Sequence, residues 1–242
     1  MKLATAQISS VAGNFELNLE KHIRLTELAV ANGISALFFP ELSLTGYEPR
    51  LAEKLAIQPD DSRLNLLDNL SRRHDILIAV GAPAQDTAGV KISMITFQSG
   101  MPRRLYAKQH LHPDELPFFS AGTEDQLFHT AEHVMAPAIC YESLQASHAL
   151  KAAKAGAKYY LASVAKSHNG VKAAYNHYPL IAKQFGMTVL MANSIGPSDG
   201  FLSAGKSGVW NSDGKLVISA GSFEEVLVVH DTDTGKCQLI SA

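Results

Sequence analysis

The opening segment constrains this chain most, because it spells out a β-α-β unit that runs straight into a carboxylate. Residues 3–9 read as a strand, 14–31 as an amphipathic helix, and 35–39 as a short apolar strand leading into Pro40-Glu41. Asn14 is the expected helix cap, Leu17, Leu25 and Leu28 mark the expected apolar face, and Asn32-Gly33 is the expected stop. The pattern continues with a helix near 62–73, a strand over 76–80, and strands around 92–97 and 104–107. The second half repeats it: a strand ending at Cys140, a helix over 145–155, a strand over 159–164, a helix over 171–185 and a strand over 188–192. Strands at 208–210 and 216–219 flank the turn sequence Asn211-Ser212-Asp213-Gly214, and a closing strand covers 225–230. Hairpins mixed with crossovers predict a layered α/β architecture with helices covering sheets. No linker, charge block or low-complexity tract interrupts the chain, so one domain over 1–242 is expected.

With 242 residues and 46% hydrophobic content, the chain can bury a sizeable core. A formal net charge of -2, with both signs interspersed, provides no basic face, so neither nucleic acid nor a membrane surface is an expected partner. The N-terminal run turns polar by Gln7, too early for a signal peptide, and no apolar stretch approaches the roughly 20 residues of a membrane span. Two cysteines, Cys140 and Cys237, are too few for a disulfide framework, which predicts a reducing, cytoplasmic setting in which a thiol stays available as a nucleophile.

Three segments place reactive side chains where an apolar strand gives way to a loop: Phe38 to Tyr47 with Glu41, Tyr106 to Glu115 with Lys108, and Ala138 to Ser143 with Cys140. A carboxylate after an apolar strand is costly to bury unless paired, and a lysine after another strand is the matching cation. A thiol with an unperturbed pKa of roughly 8.5 needs a base or a nearby cation to act as a nucleophile. Glu41 suits the base, Lys108 the charge on a tetrahedral oxyanion with the Tyr141 backbone N–H beside it, and Glu115 the positioning of Lys108.

These segments resemble the motifs of the nitrilase superfamily of carbon-nitrogen hydrolases. Pro40-Glu41-Leu42-Ser43-Leu44-Thr45-Gly46-Tyr47 is similar to its base motif. The run from Tyr106 through Lys108 to Glu115 is similar to its lysine motif with the second glutamate, and Pro137-Ala138-Ile139-Cys140-Tyr141-Glu142-Ser143 to its nucleophile motif. Residues 192–196 and 205–214 resemble its later strand motifs. The resemblance spans nearly the whole chain and implies a four-layer αββα sandwich of mixed sheets. It further implies Glu41, Lys108, Cys140 and Glu115 as the catalytic set, hydrolysis of a small amide through a thioester, and a homodimer or larger homo-oligomer. No cofactor and no metal is implied. Two runs depart from the family pattern: Cys140-Tyr141-Glu142-Ser143-Leu144-Gln145 stands where many members have Cys-Tyr-Asp-x-Arg-Phe, and Gln184-Phe185 where many have Glu-Asn. The better-known amidase and carbamoylase substrate assignments therefore do not transfer, and within the family an N-carbamoyl compound or a nitrile is the alternative substrate. Candidate substrate contacts are Tyr47, Tyr141 and Glu142, with Lys166 and His168 in the loop after the 159–164 strand as partners for a substrate carboxylate.

Other motifs compete with this reading. His110/His112 and His129/His133 have spacings found at zinc sites, so a metal-dependent hydrolase is the alternative enzyme class. Gly200 to Ser207 satisfies the P-loop pattern, but a strand and turn follow it where phosphate binding needs a helix. Cys237 lies in a polar terminal segment without a partner motif, and no Gly-x-Ser-x-Gly elbow supports a serine triad.

Overall fold

The computed structural model describes residues 1–58, 60–130 and 132–242. Its strands are β1 (Lys2–Ser9), β2 (Ala36–Phe38), β3 (Leu77–Asp86), β4 (Gly89–Phe97), β5 (Arg104–Ala107), β6 (Phe128–His129), β7 (Val134–Ile139), β8 (Tyr159–Val164), β9 (Thr188–Ser198), β10 (Phe201–Ala204), β11 (Gly208–Trp210), β12 (Leu216–Ser219), β13 (Val226–Asp231) and β14 (Cys237–Ser241). The helices are α1 (Phe15–Ala31), α2 (Ala52–Leu55), α3 (Asn65–His74), α4 (Ala146–Lys154) and α5 (His168–Phe185).

One sheet runs β5-β4-β3-β2-β1 and continues through β13 to β14. The other runs β6-β7-β8-β9 and continues through β11 to β12. They join where Ile8 and Ser9 of β1 pair with Ser194 and Ile195 of β9. The period-2 alternation of side chains sorts each strand's residues between two faces. In β3, Leu77 and Ala79 face one apolar core while Ile78, Val80 and Ala82 face a second. In β8, Tyr159 and Leu161 join the first core, and Tyr160, Ala162 and Val164 join a third. The shared core lies between the sheets, the second lies under α1 and α3, and the third lies under α4 and α5. Three cores separating four layers make the expected αββα sandwich.

Polar side chains pin the two sheets together. Gln7 is fully buried, accepting the Ser207 N–H and donating to the Gly221 and Glu224 carbonyls, and the Ser163 hydroxyl donates to the Phe39 carbonyl at 2.8 Å. The early polar residue of the first strand is thus a buried cross-sheet tie.

The expected elements are present, but β3 and β9 each run six residues past their expected ends, and the short helix α2 is additional. Asn14 caps α1 by accepting the Leu17 N–H at 3.1 Å. Leu17 itself is 45% exposed, which corrects the expected apolar face. The buried stripe is Phe15, Leu19, His22, Leu25, Thr26 and Ala29, because these positions recur at three- and four-residue steps toward the sheet. The turn sequence at 211–214 does join β11 to β12 as an antiparallel hairpin. The P-loop-like run becomes β10, a turn with Lys206 at φ 59, and β11, so no helix N-terminus faces it. Strands β6, β10 and β14 add to those expected. Cys237 falls within β14, half-buried, its sulfur 3.4 Å from His230 Nδ1. Among the described residues no helix is long and apolar enough to cross a membrane.

Candidate active site

Glu41 follows β2, Cys140 follows β7 and Lys166 follows β8, so three reactive side chains gather at the carboxyl ends of parallel strands. Lys108 comes from the end of β5 at the neighbouring edge.

The turn carrying Glu41 is tightly held. Leu42 adopts φ 51 although it is buried, a conformation that costs a side-chain-bearing residue about 1 kcal/mol or more. His22 holds the turn from below, its Nε2 lying 2.8 Å from Ser43 Oγ and its Nδ1 2.6 Å from the Asn18 carbonyl. Burial pulls the His22 pKa down to about 4, which keeps the ring neutral. Gly81 on β3 leaves room for the turn, since a Cβ there would stand 2.4 Å from the Leu42 nitrogen and the Pro40 oxygen.

Lys108 is the hub of the site. Its Nζ donates to Glu41 Oε1 and Glu115 Oε1, each at 2.7 Å, and all three side chains are essentially inaccessible. Burial lowers the Lys108 pKa, but the carboxylates of Glu41 and Glu115 outweigh it and leave the ammonium firmly protonated. Burial likewise raises the Glu41 pKa, with Lys108 pulling it back and Glu115 pushing it further up. Glu115 is oriented by the Tyr47 hydroxyl at 3.0 Å on Oε1 and by the His112 N–H at 2.7 Å on Oε2.

Cys140 is half-buried and takes φ 48 at the start of a 3-10 turn spanning Cys140–Leu144. Burial and then Glu41 push its thiol up to about 11, while Lys166 and Lys108 pull the other way. The Lys166 Nζ lies 3.7 Å from Cys140 Sγ. A pocket of about 390 Å³ opens onto this group, lined by Tyr47, Glu115, Cys140, Tyr141 and Lys166 at its base and by Asp114, Asp199 and Phe201 among its walls. A separate cleft of about 280 Å³, lined by Arg104, Asp125, His148 and Lys151, contains none of Glu41, Lys108, Glu115 or Cys140.

The structure therefore brings Glu41, Lys108, Glu115 and Cys140 together and places Tyr47, Tyr141 and Lys166 on the same pocket. It sets two candidate substrate contacts apart. His168 is exposed in the first turn of α5 and does not line the pocket, because the helix start turns it outward. Glu142 is fully buried behind the nucleophile, where its carboxylate is consumed by protein donors. Ile139 N–H (2.6 Å) and the Tyr106 hydroxyl (2.8 Å) reach its Oε1, and the N–H groups of Gln109 (2.8 Å) and His110 (3.4 Å) reach its Oε2. Glu142 thereby ties the Cys140 turn to the loop that carries Lys108. Its tightly bound position has no sequence signal, since three of the four donors, from Tyr106, Gln109 and His110, lie more than thirty residues away. Asn193 was visible only as part of a later strand motif; it holds Lys166 by accepting the Lys166 N–H at 2.8 Å. The histidine pairs make other contacts: His112 Nδ1 lies 2.6 Å from Asp114 Oδ1, and the His133 ring packs on Tyr159. Among the described residues no three His, Cys, Asp or Glu side chains are grouped to hold a metal ion.

Glu142 yields a pH prediction. Burial raises its pKa to about 7, against hydrogen bonds that favour the charged form. A carboxyl whose folded pKa exceeds its unfolded value binds extra protons in the native state between the two. Its contribution to stability is full below about pH 4.5 and is lost as pH rises through about 7. The stability of Glu142→Gln relative to the parent chain should therefore improve by about 3 kcal/mol across that window, read from urea unfolding at each pH. Parallel stability curves for the two proteins would contradict it.

Comparison with known proteins bears on the family and the fold. The sequence model of the carbon-nitrogen hydrolase family matches residues 2–241. The glutamine-dependent NAD(+) synthetase of Acinetobacter baylyi is 26% identical over 241 residues, covering 96% of this chain and 44% of that protein; the Aquifex aeolicus enzyme is 26% identical over 252 residues, covering 98% and 43%. The chain thus spans less than half the length of these curated relatives. Among solved structures, an amidase from Nesterenkonia sp. AN1 superposes with a TM-score of 0.87 at 22% identity, covering 96% of this chain and 92% of that one. In another structure of that amidase, acrylamide has added to the active site cysteine. With the family model matched from the first strand to the last and the sandwich shared with that amidase, this chain belongs to the carbon-nitrogen hydrolase family.

Proposed function

We propose that the chain hydrolyses the carbon-nitrogen bond of a small primary amide through a thioester on Cys140. The observation that carries this is the convergence of Glu41, Lys108, Glu115 and Cys140 in one buried cluster, of which Glu115 and Cys140 line a single pocket. The thiol, pushed up to about 11, is largely protonated at neutral pH, so its proton must be removed as attack proceeds. Glu41 is the base for this step: its Oε2 is buried with no hydrogen-bond partner among the described residues, and Cys140 is close enough to act on the carboxyl. The sulfur attacks the amide carbon, and Lys108 with the Tyr141 N–H stabilises the oxyanion. The proton on Glu41 then leaves with the amine as the C–N bond breaks. Glu41 next takes a proton from water, whose oxygen bonds to the thioester carbon; the C–S bond then breaks, the acid leaves, and the proton on Glu41 returns to Cys140 Sγ.

Glutamine is the first amide to test, because the curated relatives are named as glutamine-dependent. The panel extends to ω-amides, simple aliphatic amides, carbamoyl amino acids and nitriles. Ammonia release from at least one primary amide is expected, with an acyl adduct on the Cys140 peptide by mass spectrometry during turnover. Release without any adduct on Cys140, or activity confined to nitriles, would contradict the amide reading.

A further inference from the structure

Lys166 stands where Lys108 leaves a deficit. Lys108 holds negative charge on the Glu41 carboxylate from 2.7 Å, which opposes the step in which Glu41 takes the Cys140 proton. That step moves one negative charge from the carboxylate to the sulfur. A second cation on the sulfur side restores the balance, and the Lys166 ammonium is 3.7 Å from Cys140 Sγ. The carboxylates of Glu41 and Glu115 are paired with Lys108, leaving Lys166 to the sulfur.

The position is built. Lys166 is 5% exposed. Its N–H donates to Asn193 Oδ1 at 2.8 Å, and its carbonyl accepts the Ala204 N–H at 2.9 Å and the Asn193 side-chain amide at 3.3 Å. Its stem lies against Gly170 in the first turn of α5, where an added Cβ would stand 3.2 Å from Lys166 Cβ and 3.4 Å from Cγ. Gly170 has no positive φ, so its missing side chain serves space and not backbone conformation.

We propose that Lys166 is a second catalytic lysine of this site, its ammonium compensating the charge on Cys140 Sγ as the thiol proton passes to Glu41. This rests on the hydrolase reading above. The S–H bond breaks, an O–H bond forms on Glu41, and the sulfur bonds to the amide carbon; Lys166 keeps all its protons throughout. Among the groups acting on the thiol, burial and Glu41 push it up, and Lys166 pulls it back ahead of Lys108. A lysine occupied in this way is not a receptor for a distant substrate carboxylate.

The test is alkylation of Cys140 by neutral iodoacetamide as a function of pH, followed on the Cys140 peptide so that Cys237 does not contribute. Lys166→Met preserves length and removes the charge. It should slow alkylation at pH 7 about tenfold or more and move the midpoint up by about one pH unit or more. Lys166→Arg should recover most of the loss, and Gly170→Ala, which displaces the stem but keeps the charge, should give a smaller shift in the same direction. An unchanged profile in Gly170→Ala together with Lys166→Met, or an effect limited to KM for carboxylate-bearing amides, would overturn the proposal. Gly170→Ala alone decides if Lys166→Met fails to fold. Alkylation needs no substrate, so it reads Lys166 even where no amide is turned over, and amide turnover with an unmoved profile would sink Lys166 while leaving the hydrolase reading intact.

Discussion

Lys108→Met is expected to remove turnover and to cost about 3–5 kcal/mol of folding stability, the largest combined loss of any single substitution in the site. The physical cause is the company Lys108 keeps. Its ammonium is buried between Glu41 and Glu115, each 2.7 Å away, with side-chain exposures of 0%, 0% and 1%. Methionine fills a similar volume, so little of the loss comes from packing. It comes from two carboxyls left in a dry site with no cation, which must either repel each other or take up protons. A protonated Glu41 cannot accept the thiol proton, and the oxyanion loses its charged donor, which by itself is worth about 10²–10³-fold in rate. Urea unfolding and ammonia release measure the two losses separately. The stability deficit should shrink as pH is lowered, because protonating the two carboxyls relieves their repulsion. A variant as stable as the parent at pH 8 would show that the buried charges are not what they appear from the distances.

Cys140→Ala is expected to lower turnover by about 10⁴-fold or more while leaving stability nearly untouched, the opposite balance from Lys108. The thiol contributes little to folding: it is half-buried at the pocket, and burial disfavours its charged form. What it does carry is backbone strain, with φ 48 in a region that L-residues avoid. Alanine retains that strain, whereas glycine relieves it. Cys140→Gly should therefore be at least as stable as Cys140→Ala, although glycine ordinarily loses about 0.5–1 kcal/mol to alanine within regular structure. Thermal unfolding of the pair reads this, and a glycine variant markedly less stable than the alanine one would count against strain at the nucleophile. Residual turnover above about one part in 10³ in either variant would mean that the sulfur is not the nucleophile.

In the proposed reaction the two lysines divide the charge in a way the motifs alone do not express. Lys108 lies on the carboxylates and Lys166 on the sulfur, so the transfer of a proton from Cys140 to Glu41 carries negative charge from one cation to the other. Tyr47 holds Glu115, Asn193 holds Lys166, Glu142 holds the backbone just before Cys140, and His22 holds Ser43 in the turn that carries Glu41.

Much of this was legible in the linear order of residues, for reasons that are local. Strand and helix periodicities are set within a few residues, which is why α1, α5, β1, β8 and the β11–β12 hairpin lie where the pattern placed them. Charged or thiol side chains directly after apolar strands identify themselves, which is why Glu41, Lys108 and Cys140 stood out together. Other features depend on partners far along the chain. The short strands β10 and β14 exist because β9 and β13 offer edges to pair with. Leu17 matched the helical period but fell on the outer face, since the sheet selects which stripe is buried. Glu142 carried a charge that looked available to substrate until Tyr106, Gln109 and Ile139 closed around it. The linear order of residues carries the layered α/β pattern, the family motifs with the sandwich they imply, and the candidates for nucleophile, base and cation. That Lys166 aims at the sulfur is a consequence of packing. Its direction is set by Asn193 twenty-seven positions downstream and by the space Gly170 leaves, and neither constraint exists until β8, β9 and α5 are packed.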